Sequence, residues 1–427
     1  MSTIMYLVII LLQMLRRGRA ANPNGDGRGF KHLGDDMVVE ILRRVPADQL
    51  WCSCRKVCSR WKALISSSEF VQAHLRQSPT TFFVFIKQER PVWSCTGQKE
   101  LDFFFPRDDN AKASAVTKIV SNGPLVKRWR HQMRGQAVVP VSSCNGLILF
   151  KSCSDSSDEF YVGNPITGEL VSRKHLGRKG RLCGFFYNSS TREYRVYYYH
   201  WTGYTSTNPI EYAVLTLGSN SRWRILHHLP YRVRDRAIVL NNTIYWLIAD
   251  MYQPESRTFD HSECRESILS CSMDSGKFLS WAHPASYHCL KREWHKRMEL
   301  LEMEGRPTCC CLHGLEGKLW IFHISDTDDH AGTWTRIYNL NFIWDRNIFP
   351  FTSTLVDNQD IQLVNIGNKQ VLLVWFKRGV FRYDLQSGRV TRVRLPGISE
   401  VHYGVSLTSY TKSLVMLNNI CPLGLQQ

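Results

Sequence analysis

No apolar run in these 427 residues is long enough to cross a bilayer. The strongest candidate, Ile4 to Leu12, has about nine residues where a span needs about twenty. Its basic residues Arg16, Arg17 and Arg19 follow the apolar stretch, whereas a secretory signal carries them first. No stable membrane association is expected, and residues 1–32 read as an apolar and basic leader with a flexible Gly/Asn/Asp-rich link. The chain also lacks any block of five or more Lys and Arg, although its formal net charge is +17. The excess is spread out, and the nearest clusters, Lys127 to His131 and Arg173 to Arg181, read as solvated loops. Nucleic acid is therefore not the expected partner.

Catalytic and metal signatures are missing too. No G-x-S-x-G, H-E-x-x-H or Walker sequence occurs. Fourteen cysteines are present without zinc spacing: Cys309, Cys310 and Cys311 are adjacent, and Cys264, Cys271 and Cys289 share no paired spacing with His261, His283, His288 and His295. Asp326, Asp328, Asp329 and His330 lack the Gly and distal Glu of a calcium loop, so a solvated hairpin tip is expected there. No metal, no cofactor and no bond-making chemistry are expected. Reduced thiols point to the cytoplasm or nucleus, and the two N-x-S/T sequons, at Asn188 and Asn241, matter only in a secreted chain.

What remains is a globular composition, 43% hydrophobic and 12% aromatic, divided in two by periodicity. Residues 33–78 are helical. Asp35 is the expected N-cap, and Val38, Ile41, Leu42 and Val45 follow at i, i+3, i+4 and i+7 before Pro46 stops the helix. A second helix near Asp48 brings in Leu50 and Trp51. Val57, Trp61, Leu64 and Ile65 mark a third, Ser66 to Ser68 break the run, and Phe70, Val71, His74 and Leu75 begin another. Under fifty residues cannot bury two Trp and this many aliphatic side chains alone, and each left wet forgoes about 1.5 to 3 kcal/mol. The surplus implies a protein partner. From Thr80 the pattern alternates, with short Val/Ile/Tyr/Phe/Trp runs at 146–150, 194–199, 243–248, 319–324, 371–376 and 414–417. The Gly168, Gly276 and Gly388 turns lie 108 and 112 residues apart, a spacing that suits two propeller blades per interval.

Leu33, Asp36, Glu40 to Leu42, Val45-Pro46, Leu50, Val57 to Trp61 and Leu64-Ile65 resemble the F-box in its plant form, with Gly34 where that family has Pro. Ser143-Cys144-Asn145-Gly146-Leu147, Asn164-Pro165-Ile166-Thr167-Gly168, Gly184 to Tyr187, Glu193 to Val196, Ser221 to Arg224 and Asn242 to Leu247 resemble, in order, the F-box-associated domain of plant F-box proteins. The resemblance implies an α+β multidomain chain: a helical F-box at 33–78 and an all-β, kelch-like β-propeller at 80–420. It further implies a substrate-recognition subunit of a Skp-cullin-F-box ubiquitin ligase, with no catalysis of its own. Leu33, Ile41, Leu42, Val45, Pro46, Leu50, Val57, Trp61, Leu64 and Ile65 would serve the Skp-type adaptor or the small core beneath it. Trp201, Tyr204, Tyr231, Arg232, Arg234, Arg236, Tyr252 and Trp294 form the search area for an unidentified target protein. The alternatives from other classes are a propeller-type carbohydrate binder or enzyme and a basic nucleic-acid-binding protein.

Overall fold

The computed structural model describes residues 34–88, 101–106, 116–119, 129, 132–133, 138–152, 159–176, 180–201, 209–218, 222–249, 267–284, 298–313, 318–324, 334–341, 361–365, 369–375, 379–393 and 403–420. Leu33, Tyr204, Tyr252, Trp294, the Asp326 to His330 knot and residues 1–32 lie outside them.

Four short helices open the described residues: α1 (Asp35–Arg43), α2 (Ala47–Cys52), α3 (Ser59–Ser66) and α4 (Ser68–Gln77), with a 3-10 turn at Cys54–Lys56. Gly34, not Asp35, is the N-cap of α1: its φ is −57° and ψ 157°, and its carbonyl accepts the Val38 N–H. The Asp35 carboxylate is drawn instead to Arg60 at the start of α3, 2.6 Å away. Two later caps are side chains. Cys58 Sγ accepts the Trp61 N–H, and Ser67 Oγ accepts the Phe70 N–H. Cys54 is buried and burial pushes its thiol up to about 11, whereas Cys52 is exposed. His74 ties the end of α1 to α4: with Nε2 protonated it donates to the Val45 carbonyl at 2.8 Å, and Nδ1 faces the Ser78 hydroxyl at 3.2 Å. Burial lowers its pKa and so favours this neutral ring.

Among the described residues, twenty-four strands form six four-stranded antiparallel sheets. Five are consecutive meanders: β4–β7 (138–174), β8–β11 (180–229), β12–β15 (232–281), β16–β19 (298–341) and β20–β23 (361–393). The remaining sheet, the first blade with β4–β7 the second, joins the two ends of the domain: β24 (Tyr403–Thr411) pairs with β1 (Thr80–Gln88), followed by β2 (Leu101–Pro106) and β3 (Val116–Ile119). The inner strands touch in sequence, β24, β4, β8, β12, β16, β20 and back to β24, which closes a ring. This is a six-bladed propeller whose ring is closed by a strand pairing between the two ends of the β domain.

Turn chemistry accounts for the regular hairpins. Asn145 (φ 51°) with Gly146, and Asn241 (φ 48°) with Asn242 (φ 56°), both take the left-handed pair that a two-residue hairpin requires. Gly168, Gly276 and Gly388 occupy the same corner, between third and fourth strands, of alternate blades, in agreement with the two-blade spacing. Residues 414–417 are not a strand. Asn164 Nδ2 captures the carbonyls of Ser413 and Val415, and Leu417 N–H donates to Glu169, so the chain is held as a strap ending in α5 (Leu417–Ile420). Trp129 also departs from the solvated-loop expectation. It is buried, its Nε1 donates to the Gly168 carbonyl at 3.1 Å, and its ring lies where a Cβ on Gly163 would approach to 2.9 Å.

Candidate functional site

Two surfaces carry the residues singled out from the sequence. On the helical module, Leu42, Val45, Leu50 and Ile65 are fully interior, joined by Val38, Ala47, Cys54, Phe70 and Val71. Trp61 and Leu64 are half-buried and pack against that core, whereas Ile41 and Val57 are half-buried outside it and Pro46 is exposed. The sequence could not make this division, because every apolar position in so small a module looks alike. It also passed over Met37, which is 58% exposed, one turn before Ile41 on α1. Its signal was present: an apolar residue at i−4 from Ile41, off the Val38 and Leu42 stripe.

The module does not stand alone. Its core is continuous with apolar residues of the second and third blades, among them Leu149, Phe160 and Leu182, and with Leu414, Val415 and Leu417 of the strap. Arg55, which stacks on Trp51 at 3.6 Å, lies close enough to Glu169 to favour its charged form. Burial outweighs that influence, and the Glu169 pKa is raised. Part of the apolar surplus that implied a partner is thus absorbed within the chain.

The second surface is the propeller's central cavity, about 590 Å³, lined by all six inner strands. Strand β12 (Arg232–Leu240) is irregular there: Val233 pairs with Ile248 and Ala237 with Trp246, so Arg234, Asp235 and Arg236 oppose Leu247 alone. Such a bulge re-aims side chains. Asp235 meets Lys151 of β5 at 3.0 Å, Arg234 donates to the Met298 carbonyl at 2.9 Å, and Arg236 lies 3.8 Å from Glu299. Of the other search-area residues, Trp201 and Tyr231 pack on the core shared by the third and fourth blades, and Arg232 sits 4.7 Å over the Trp201 ring. The structure therefore brings Arg232, Arg234 and Arg236 onto one inner strand and gives the two aromatics a packing role. Lys151, Asp235 and Glu299 were missed, since only the register places them beside the arginines.

A short helical module seated on a closed propeller defines a two-domain chain with the helices at one side of the ring. The F-box domain family model matches residues 30–72, and the F-box associated beta propeller domain model matches residues 90–420. The chain belongs to the F-box proteins that carry this propeller. F-box protein At3g07870 of Arabidopsis thaliana is 22% identical over 411 residues, 88% of this chain and 90% of that one. F-box only protein 6 of the same plant is 23% identical over 69% of this chain and 57% of its own length. The chain spans little more than half of several such relatives, 54% in another case. Among solved structures, oligogalacturonate lyase in complex with manganese aligns at 8% identity with a TM-score of 0.39, covering 75% of this chain and 86% of that one. No chemistry follows from so distant a likeness.

Proposed function

We propose that this chain is the substrate-recognition subunit of a Skp-cullin-F-box ubiquitin ligase. Its helical module docks a Skp-type adaptor and its propeller recruits a target protein. The chain makes and breaks no bond; it contributes proximity, turning an encounter between a target lysine and a charged conjugating enzyme into an effectively intramolecular event. The observation that carries the reading is the apolar line Met37 and Ile41 on α1, left outside the core in a module whose family is the F-box. Val57 extends the same uncovered set.

The test is capture of a purified Skp-type adaptor by the full-length protein and by Met37→Glu. Because Met37 is exposed, the substitution leaves the fold intact. Placing a charge in an apolar contact should weaken capture roughly tenfold or more, about 1.4 kcal/mol per decade. A folded wild-type chain that ignores the adaptor at micromolar concentration would end the proposal. The reading puts the protein in the cytoplasm or nucleus. It is supported by Asn188, the first sequon, which is fully buried and donates to the Met273 carbonyl and Asp274, leaving no room for a glycan in the folded chain. A C-terminal reporter found in the secretory pathway would contradict that placement.

A further inference from the structure

The bulge on β12 brings Asp235 and Arg236 to the cavity, whose wall mixes Val141, Ile238, Leu300 and Leu363 with Ser142, Ser143, Asn365 and Ser409. The two neighbouring cations are committed: Lys151 to Asp235, and Arg234 to a backbone carbonyl. Arg236 is not. Its one ion pair among the described residues is the long 3.8 Å approach to Glu299, and its side chain remains 42% exposed to the cavity it lines. A guanidinium is a planar fork that matches a carboxylate bidentately at about 2.7 to 2.9 Å. At 3.8 Å, Glu299 supplies charge without that geometry.

We infer that Arg236 is the anchor of a carboxylate-binding site in the propeller cavity, taking a single carboxylate. The inference rests on the target-recruiting reading above and names the chemistry recognised. Charge decides between acids. Asp235, Glu299 and Glu302 flank the site, so a dianionic phosphate meets more repulsion than a monoanion does. The cavity volume lies within the range of small-ligand pockets, so the carboxylate comes from a free organic acid or from the C-terminus or acidic side chain of a peptide.

The experiment uses the full-length protein and calorimetric titration with four probes: hexanoate, hexanamide, and the peptide Ala-Val-Val-Leu with a free or an amidated C-terminus. The expected result is that at least one acid binds about tenfold or more tightly than its amide, and that Arg236→Gln erases the difference. Binding of hexanoate alone identifies a free acid as the source; binding of the free peptide identifies a chain terminus. Glu299→Gln, which removes the competing carboxylate, should tighten the acid, and it decides the matter should Arg236→Gln fail to fold. Equal binding of acid and amide, or weaker acid binding by Glu299→Gln, overturns the inference. Adaptor capture measured on the same variants stays unchanged if only the cavity assignment is wrong, and is absent from the wild type if the ligase reading is wrong.

Discussion

Replacing Asn164 with Ala removes three hydrogen bonds from a side chain with no solvent exposure. Its Nδ2 reaches the Ser413 carbonyl at 3.2 Å and the Val415 carbonyl at 2.7 Å, and its Oδ1 accepts the Ile166 N–H at 2.9 Å. The two strap carbonyls lose their donor in a buried setting, each at a cost of about 1 to 3 kcal/mol, and the turn loses one neutral bond worth about 1. Water entering the vacated space recovers part of this, so the expected loss is about 3 kcal/mol. It falls first on the strap, residues 413–420, and on the helical module that shares its core. Hydrogen exchange read by mass spectrometry checks both: amides of the strap should exchange about a hundredfold faster, while β12–β15 stays protected. Asn164→Asp separates the roles, since it keeps the acceptor for Ile166 and loses both donors. It should free the strap as Ala does. Strap protection unchanged in Asn164→Ala, or restored in Asn164→Asp, would refute the assignment.

Gly34→Pro should stabilise the module by about 0.4 to 1 kcal/mol through the unfolded chain, because φ of −57° suits proline and nothing lies within 4 Å of an added Cβ. On the proposed function it should tighten adaptor binding by calorimetry, and a loss would show that the turn has been misread. Glu169 has a raised pKa through burial, so its contribution to stability is fully present below the ordinary carboxylate pKa and is lost as pH rises through the folded value. Glu169→Gln keeps an acceptor for the Leu417 N–H and cannot ionise. Its melting temperature relative to wild type should therefore climb between about pH 4 and about pH 7, and a fall over that range would reverse the sign argued here.

The all-β class, the blade spacing and the hairpin corners were legible because each has a local cause. Alternation marks a strand, and Asn-Gly or Ser/Thr-Gly marks a left-handed corner whatever surrounds it. The Gly168, Gly276 and Gly388 turns could be placed two blades apart without any tertiary knowledge. Residues 414–417 defeated the same logic: Leu-Val-Met-Leu has strand composition, but Asn164 and Glu169, about 250 positions earlier, take the backbone groups a ladder would use. Asp35 failed as a cap for a similar reason, since Arg60 competes for its carboxylate. On the candidate site, the arginines of β12 were visible as residue types. Their convergence was not, because it depends on a bulge that no residue in Arg-Val-Arg-Asp-Arg announces.

Two motifs that mark the propeller family acquire a physical role from this arrangement. The Asn145-Gly146 turn receives the strap directly: Ser413 Oγ donates to the Asn145 carbonyl, and a side chain at Gly146 would collide with Ser413. Asn164 and Glu169 flank the next turn of the same blade and hold Val415 and Leu417. Both motifs therefore serve the strap rather than the cavity, and the strap in turn completes the core beneath the helices. A module with too many apolar side chains for its length covers one face with its own propeller and leaves Met37, Ile41 and Val57 outside that core, the face that the proposed function gives to the adaptor. Seating on the propeller fixes the direction in which that second face points. For a subunit whose proposed contribution is proximity, a fixed direction is worth more than the contact area, because an adaptor held at a wandering angle would dilute the effective concentration that the target experiences.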